Sequence, residues 1–310
     1  MKTKIQSAFL GLAIGDALGV PVEFLEREEL KLNPVTKMMG HGTHHQPLGT
    51  FSDDASMTFC TAESLIKGYD LVDMSAKFLA WRDQAYWIAG NVVFDVGGTT
   101  DFVLDKLRQN NDPYHLGESD EFSNGNGSLM RMLPLAFYVK EMEAIERFNT
   151  IKEVSAITHA HIRSIIGCFY YTEFIRVLLL GYEKEFAYQF LKDTFKNALI
   201  QLGIDSAELK LYDRLLEEDI VTLAEEDISS SGYIVDSLEA SIWCILKTDN
   251  FRDAVLKAVN LGDDTDTIGA ITGSIAGILY PNDIPEEWIN QLARNTDIID
   301  LANRFSESIK

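Results

Sequence analysis

The sequence predicts an all-α fold, a single compact multi-helix bundle over residues 1–310. Three observations carry that expectation. Apolar residues recur at helical spacing through most of the chain, alternating strand patterns flanked by tight turns are nearly absent, and glycines recur every fourth residue in two segments of helix length.

The first helix is expected over Ile5–Leu18. Lys2 and Lys4 before the apolar run mimic a short secretory leader. Asp16 follows that run directly, Pro21 and Glu23 come next, and no small-x-small cleavage pattern is present, so the segment reads as the opening helix of the mature fold. Met57–Lys67 lies behind Ser52-Asp53-Asp54, a hydroxyl N-cap followed by two acids in a first turn. Asp73–Trp87 and Thr100–Gln109 come next. A long periodic span covers Ile151–Gly181, with Thr158-His159-Ala160-His161 opening a helix inside it. Glu185–Leu202, Ser206–Glu217, Val235–Leu246 and Phe251–Val259 follow, the last ending at Asn260, a natural helix terminator. Ile268–Leu279 and Pro285–Ser308 complete the set. Loops of moderate length are expected near residues 31–51, 88–99 and 110–127, where irregular chain inside a packed domain often carries function.

Charge narrows the partners. The chain carries 48 acidic and 27 basic residues, a net charge of −21. That balance argues against a groove tracking nucleic-acid phosphates and against docking on anionic membrane. It leaves anionic small ligands open, because bound divalent metal reverses the local sign of an acidic pocket. Cys60, Cys168 and Cys244 stand far apart in apolar surroundings and read as reduced, buried thiols of a cytoplasmic protein. No uncharged apolar stretch is expected to reach membrane-spanning length; Arg176 interrupts the best candidate, Phe174 to Tyr182.

Glycine inside a helix costs roughly 1 kcal/mol against alanine. Gly11, Gly15 and Gly19 on one helix face, and Gly269, Gly273 and Gly277 on another, therefore need a reason. Close backbone approach between two packed helices supplies one. The expectation is that these two helices cross at the centre of the bundle, bringing Asp16–Glu23 near Asp264–Thr267.

Two acidic clusters carry the chemistry: Ser52-Asp53-Asp54 and Asp263-Asp264-Thr265-Asp266-Thr267. Carboxylates with interleaved hydroxyls suit hard divalent cations, and three carboxylates within four residues repel one another unless solvated or metal-bound. The buried-looking continuation Ile268-Gly269-Ala270-Ile271 disfavours solvation. Glu23 lies between Val22 and Phe24, where burial would raise its pKa and suit it to acid–base work; the plain alternative is a surface glutamate. Phe94-Asp95-Val96-Gly97-Gly98-Thr99-Thr100 and Asn124-Gly125-Asn126-Gly127-Ser128-Leu129-Met130-Arg131 are glycine-rich loops running into apolar helices. Their backbone N–H groups could hold phosphate oxygens, although such glycine pairs also mark ordinary turns. His41, His44 and His45 share the first long loop; a zinc reading there lacks further ligands.

In this order, these segments closely resemble the ADP-ribosylglycohydrolase family, from residue 11 to about residue 280. The matching pieces are Gly15-Asp16-Ala17-Leu18-Gly19 with Glu23, Ser52 to Met57, Phe94 to Thr100, Asn124 to Arg131, Thr158-His159 and Gly262 to Thr267. The resemblance implies an all-α hydrolase with two divalent metal ions, Mg²⁺ or Mn²⁺, that removes ADP-ribose from modified proteins or small ADP-ribose derivatives. It implies metal ligation by Ser52, Asp53 and Asp54 on one side and by Asp264, Asp266 and Thr267 on the other, with Asp266 as the bridge. Catalytic roles fall to Glu23, Asp54 and Asp266. Substrate contacts fall to Asp95, Asn126, Gly127, Ser128, Met130 and His159, with Gly232 and Tyr233 beside the adenine. Two departures from the family pattern stand at Phe51, where many members have Trp, and at Ser52, where Thr is usual; the hydroxyl survives.

The arginine N-glycosidic linkage is the favoured substrate, O-linked ADP-ribose or other derivatives the alternative, and a monomer the favoured state. A haloacid-dehalogenase-type phosphatase, suggested by Asp264-Thr265-Asp266, would need a strand before that motif and a long α/β domain after it. A non-catalytic, crystallin-like relative would not need acids at every metal position.

Overall fold

In the computed structural model, the two glycine-bearing helices lie against each other and the remaining chain is arranged around that contact. Residues 1–90, 92–110 and 112–309 are described. They form α1 (Lys2–Gly19), α2 (Arg27–Leu32), α3 (Asp53–Leu65), α4 (Leu71–Gln84), α5 (Gly98–Asn110), α6 (Leu133–Tyr138), α7 (Ala144–Ala156) and α8 (Ile162–Leu179). There follow α9 (Lys184–Gln201), α10 (Ser206–Lys210), α11 (Asp213–Leu216), α12 (Ile234–Leu246), α13 (Phe251–Val259), α14 (Thr265–Leu279), α15 (Glu286–Gln291) and α16 (Asn295–Ser308). Among the described residues, extended pairing is limited to isolated bridges such as Gly125 with Tyr233 and Glu118 with His159.

Helix α1 is apolar on every face and buried from Ser7 to Gly19, as a helix surrounded by others must be. Its partner α14 is buried from Thr265 to Ile278. A Cβ placed on Gly15 would lie 1.9 Å from the carbonyl oxygen of Gly269, so the two backbones touch where side chains would ordinarily separate them. One turn further on, a Cβ on Gly19 would lie 2.4 Å from the Asp266 backbone nitrogen. The expected crossing is thus observed, and it delivers the end of α1 to the start of α14. Helices α12 and α13 pack on α14, while α16 and α3 pack on α1.

Several sequence-level helices are divided. The span Ile151–Gly181 breaks between α7 and α8, because the backbone of Thr158 and Ala160 pairs with Glu118 at 2.9 and 2.7 Å and His161 then caps α8. Ser206–Glu217 splits into α10 and α11, and Pro285–Ser308 splits at Arg294, which adopts a left-handed conformation. Periodicity does not register such breaks, since the flanking helices keep compatible apolar faces. The short helices α2 and α6 escape it for lack of length. The loop expected near 31–51 runs over 33–52 and contains a single 3₁₀ turn, Gly42–His44; the loops expected at 88–99 and 110–127 include Asn91 and Asn111, which lie outside the described residues.

The segment Lys2–Val22, which carries Lys2, Lys4 and Asp16, is long and apolar enough to cross a bilayer by length and composition, and 94% of its most apolar window is buried inside the fold. All three cysteines are free and buried.

Candidate metal centre and cleft

The centre is built where three helix ends converge. Asp16, near the end of α1 and fully buried, accepts the backbone N–H of Ser52 at 2.7 Å and of Ala55 at 3.0 Å. It thereby satisfies orphan donors at the start of α3 from outside that helix. The Ser52 hydroxyl accepts from Asp54 N at 3.4 Å, as an N-cap does, and donates to Asp54 Oδ2 at 3.2 Å. At the start of α14, Thr265 Oγ1 donates to the Gly19 carbonyl at 2.9 Å. Phe24 N donates to Asp263 O at 2.8 Å and Asp263 N to Leu25 O at 2.9 Å, holding the turn after Glu23 against the second acidic cluster.

The two clusters, about two hundred residues apart in sequence, therefore meet: Thr267 Oγ1 donates to Asp54 Oδ2 at 3.3 Å. Oxygens of Glu23, Asp264 and Asp266, all buried, lie within 4.8 Å of one another. Asn126 Nδ2 donates to Asp264 Oδ2 at 2.6 Å and to Ser237 Oγ at 2.8 Å, tying the second glycine-rich loop to the same group. No described lysine or arginine pairs with Asp16, Asp53, Asp54, Asp264 or Asp266.

Such crowding should resist ionisation, and it does. Burial, reinforced by Asp95 and Asp264, pushes the Glu23 carboxyl up to about 10. Burial pushes Asp264 up to about 6 and Asp16 up to about 7. Asp53, Asp54 and Asp266 rise well above the ordinary carboxylate range for the same reason, with neighbouring acids adding to it. Asp54 Oδ1 and Asp266 Oδ2 are buried and have no hydrogen-bond partner. Two orphaned carboxylate oxygens, with the Ser52 and Thr267 hydroxyls on the neighbouring Asp54 Oδ2 and no described protein cation paired with them, form a donor set that fits hard divalent metal.

Beside this cluster opens a cleft of about 280 Å³. It is lined by Glu23, Asp53, Asp95, Asp264 and Thr267 together with residues 97–100, 125–127, Met130, His159 and Gly232, of which Asn126 and Gly232 adjoin Asp264. Ser52, Asp54 and Asp266 lie beneath, nearly or wholly excluded from solvent. Ser128 is also beneath the surface: its hydroxyl accepts from Ser155 at 3.0 Å and sits 3.4 Å from Cys168 Sγ. Tyr233 stands outside the cleft lining, half-buried, with the Arg163 guanidinium 5.9 Å from its ring.

Three groups that the sequence names without a role in the site turn out to support it. Asp16 was legible only as part of a glycine-rich turn, since nothing local reveals that it caps another helix. His44 is brought to Glu23 by its Nε2 and to the ring of Phe94 at 5.2 Å, while His41 and His45 are exposed, so the histidines do not assemble a site of their own. Arg131 is wholly buried behind Gly127.

Comparison with known proteins follows this geometry. The family model described as ADP-ribosylglycohydrolase matches residues 1–310. The ADP-ribosylarginine hydrolase of Serratia proteamaculans is 32% identical over 306 residues, covering 97% of this chain and 78% of that protein. The ADP-ribosyl-dinitrogen reductase glycohydrolase of Rhodospirillum rubrum is 30% identical over 293 residues, covering 92% and 88%. A solved ADP-ribosylglycohydrolase-related protein complex superposes with a TM-score of 0.84 at 29% identity, over 100% of this chain and 99% of that one.

Proposed function

This chain belongs to the ADP-ribosylglycohydrolase family, and from that premise we propose that it is a cytoplasmic hydrolase removing ADP-ribose from ADP-ribosylated protein side chains. The arginine N-glycosidic linkage is the favoured substrate, in line with the name of the Serratia relative, an ADP-ribosylarginine hydrolase.

The observation that carries the reading is the meeting of the two acidic clusters, with Asp54 Oδ1 and Asp266 Oδ2 buried and unpartnered. Ser52, Asp53, Asp54, Asp264, Asp266 and Thr267 would hold two divalent ions, Mg²⁺ or Mn²⁺. Bound there, the ions supply Lewis acidity and an activated water.

The remaining work belongs to the chain. In the metal-free site burial and the neighbouring acids hold a proton on Glu23, and its place in the cleft lets it pass a proton to the leaving group. Glycosidic cleavage develops positive charge at the anomeric carbon, and the carboxylates of Asp53 and Asp95 in the cleft stabilise it. Asn126, Gly127, Met130 and His159 line the same cleft and hold the nucleotide portion, with Gly232 beside the base. Ser128 acts by fixing the loop from beneath, through Ser155.

The test is a panel of ADP-ribosyl linkages, arginine N-linked, serine O-linked and small derivatives, incubated with and without Mg²⁺ or Mn²⁺ while free ADP-ribose is followed. Arginine-linked substrate should be consumed fastest and only with metal, and Asp266→Ala should abolish both turnover and metal binding. Full activity of that variant would remove the assignment.

A further inference from the structure

Arg131 is a wholly buried guanidinium with no carboxylate partner among the described residues. Burial lowers its pKa only to about 10, so it remains charged near neutral pH. Holding an unpaired cation out of water is costly and calls for a local role. Its Nη1 donates to the Gly127 carbonyl at 2.8 Å. Nη2 donates to Thr158 Oγ1 at 2.7 Å and, at 3.4 Å, to the Val154 carbonyl. The guanidinium also sits 4.8 Å from the centre of the Phe78 ring.

Thr158 has one hydroxyl proton and is fully buried, so that proton needs an acceptor. Arg131, which only donates, cannot provide one. The group available is His159 Nδ1, 2.8 Å away. Nδ1 must then carry a lone pair, and the ring proton must lie on Nε2. The opposite tautomer would place two donors on the Thr158 oxygen and strand its hydroxyl proton. Nε2 faces the cleft: a Cβ added to Gly127 would lie 3.4 Å from it and one on Gly125 3.8 Å, so the two glycines clear the approach to this nitrogen. Burial and the Arg131 charge lower the His159 pKa to about 3, leaving the ring uncharged at neutral pH.

We propose that Arg131 and Thr158 are positioning residues that lock His159 as the Nε2–H tautomer, so that the ring offers one hydrogen bond to an acceptor oxygen of the bound ligand. The inference rests on the reading of the cleft as an ADP-ribose site, whose pyrophosphate and hydroxyl oxygens are acceptors of this kind. A ring protonated on Nδ1 would present a lone pair there and repel a phosphate oxygen. His159 thus selects for acceptor atoms without taking part in proton transfer.

The experiment is an imidazole-¹⁵N spectrum of the full chain together with calorimetric titration of ADP-ribose. In the ligand-free parent protein, His159 should show a protonated Nε2 and an unprotonated Nδ1. Thr158→Val should lose that single pattern and weaken ADP-ribose binding about tenfold, the worth of one hydrogen bond. Thr158→Ser should restore both. A parent spectrum with the proton on Nδ1, or a Thr158→Val variant with unchanged spectrum and affinity, overturns the proposal. The parent spectrum decides the tautomer even if Thr158→Val does not fold. Failure of the parent to bind ADP-ribose would instead overturn the proposed function, with the spectrum still reporting the tautomer.

Discussion

Asp16 shows how one side chain can govern a candidate metal centre from outside the proposed ligand set. Its two carboxylate oxygens are both occupied, by Ser52 N and Ala55 N, and those hydrogen bonds set where α3 begins and so where Asp53 and Asp54 point. In Asp16→Asn, one acceptor becomes an NH₂ group facing a backbone donor, which leaves two buried donors opposed. Outer partners of this kind typically govern metal affinity by about 10- to 100-fold. We expect Asp16→Asn to remain folded, by circular dichroism, and to bind Mn²⁺ more weakly by that factor in calorimetry. Undiminished affinity would show that α3 holds its start without Asp16.

At the scale of elements, the crossing of α1 and α14 sets helix propensity against packing. Propensity alone says that alanine at position 15 should stabilise a helix by roughly 1 kcal/mol. The structure reverses the sign: the new methyl would lie 1.9 Å from a backbone carbonyl oxygen of α14, and neither backbone can retreat without separating two buried helices. Overpacking of this sort costs about 1–3 kcal/mol. Gly15→Ala should therefore lower the unfolding free energy from urea titration by that amount, and it should weaken metal binding as well, because Asp266 rides on α14 and Asp54 on α3. Gly90→Ala, where an added Cβ meets nothing within 4 Å, should change stability by less than about 0.5 kcal/mol. Equal effects at the two positions would refute the packing account.

For the whole molecule, the buried acids link stability to pH and to metal. Folding raises Asp264 to about 6, Asp16 to about 7 and Glu23 to about 10. The native state thus binds protons more tightly than the unfolded chain, whose carboxyls titrate near pH 4. The stabilisation is present below that value and is lost as pH rises through the folded ones. Metal-free protein should melt progressively lower from about pH 5 to about pH 8, and Mg²⁺ or Mn²⁺ should raise the melting temperature more at the upper end, where the carboxylates it binds are most costly. Asp264→Asn should flatten the slope below about pH 6. A slope unaffected by that change would assign the effect to the overall charge of −21 instead.

The helical class, the two acidic clusters and the glycine faces were all legible in the sequence because each is a local property. Periodicity reports which face is buried, and glycine every fourth residue reports a backbone that must be approached closely. The same local view placed a helix start at Thr158–His161 but missed the pairing with Glu118 that makes the break, the cap supplied by Asp16 and the reach of Arg131 to Thr158, since each depends on a partner far along the chain. Ser128 looked like a ligand contact from its motif, yet its hydroxyl turns inward to Ser155. Composition and spacing could nominate Asp54 and Asp266. Only the packing of α1 against both of their helices could bring them together, because the distance between groups on different elements is set by how those elements are seated on a common partner.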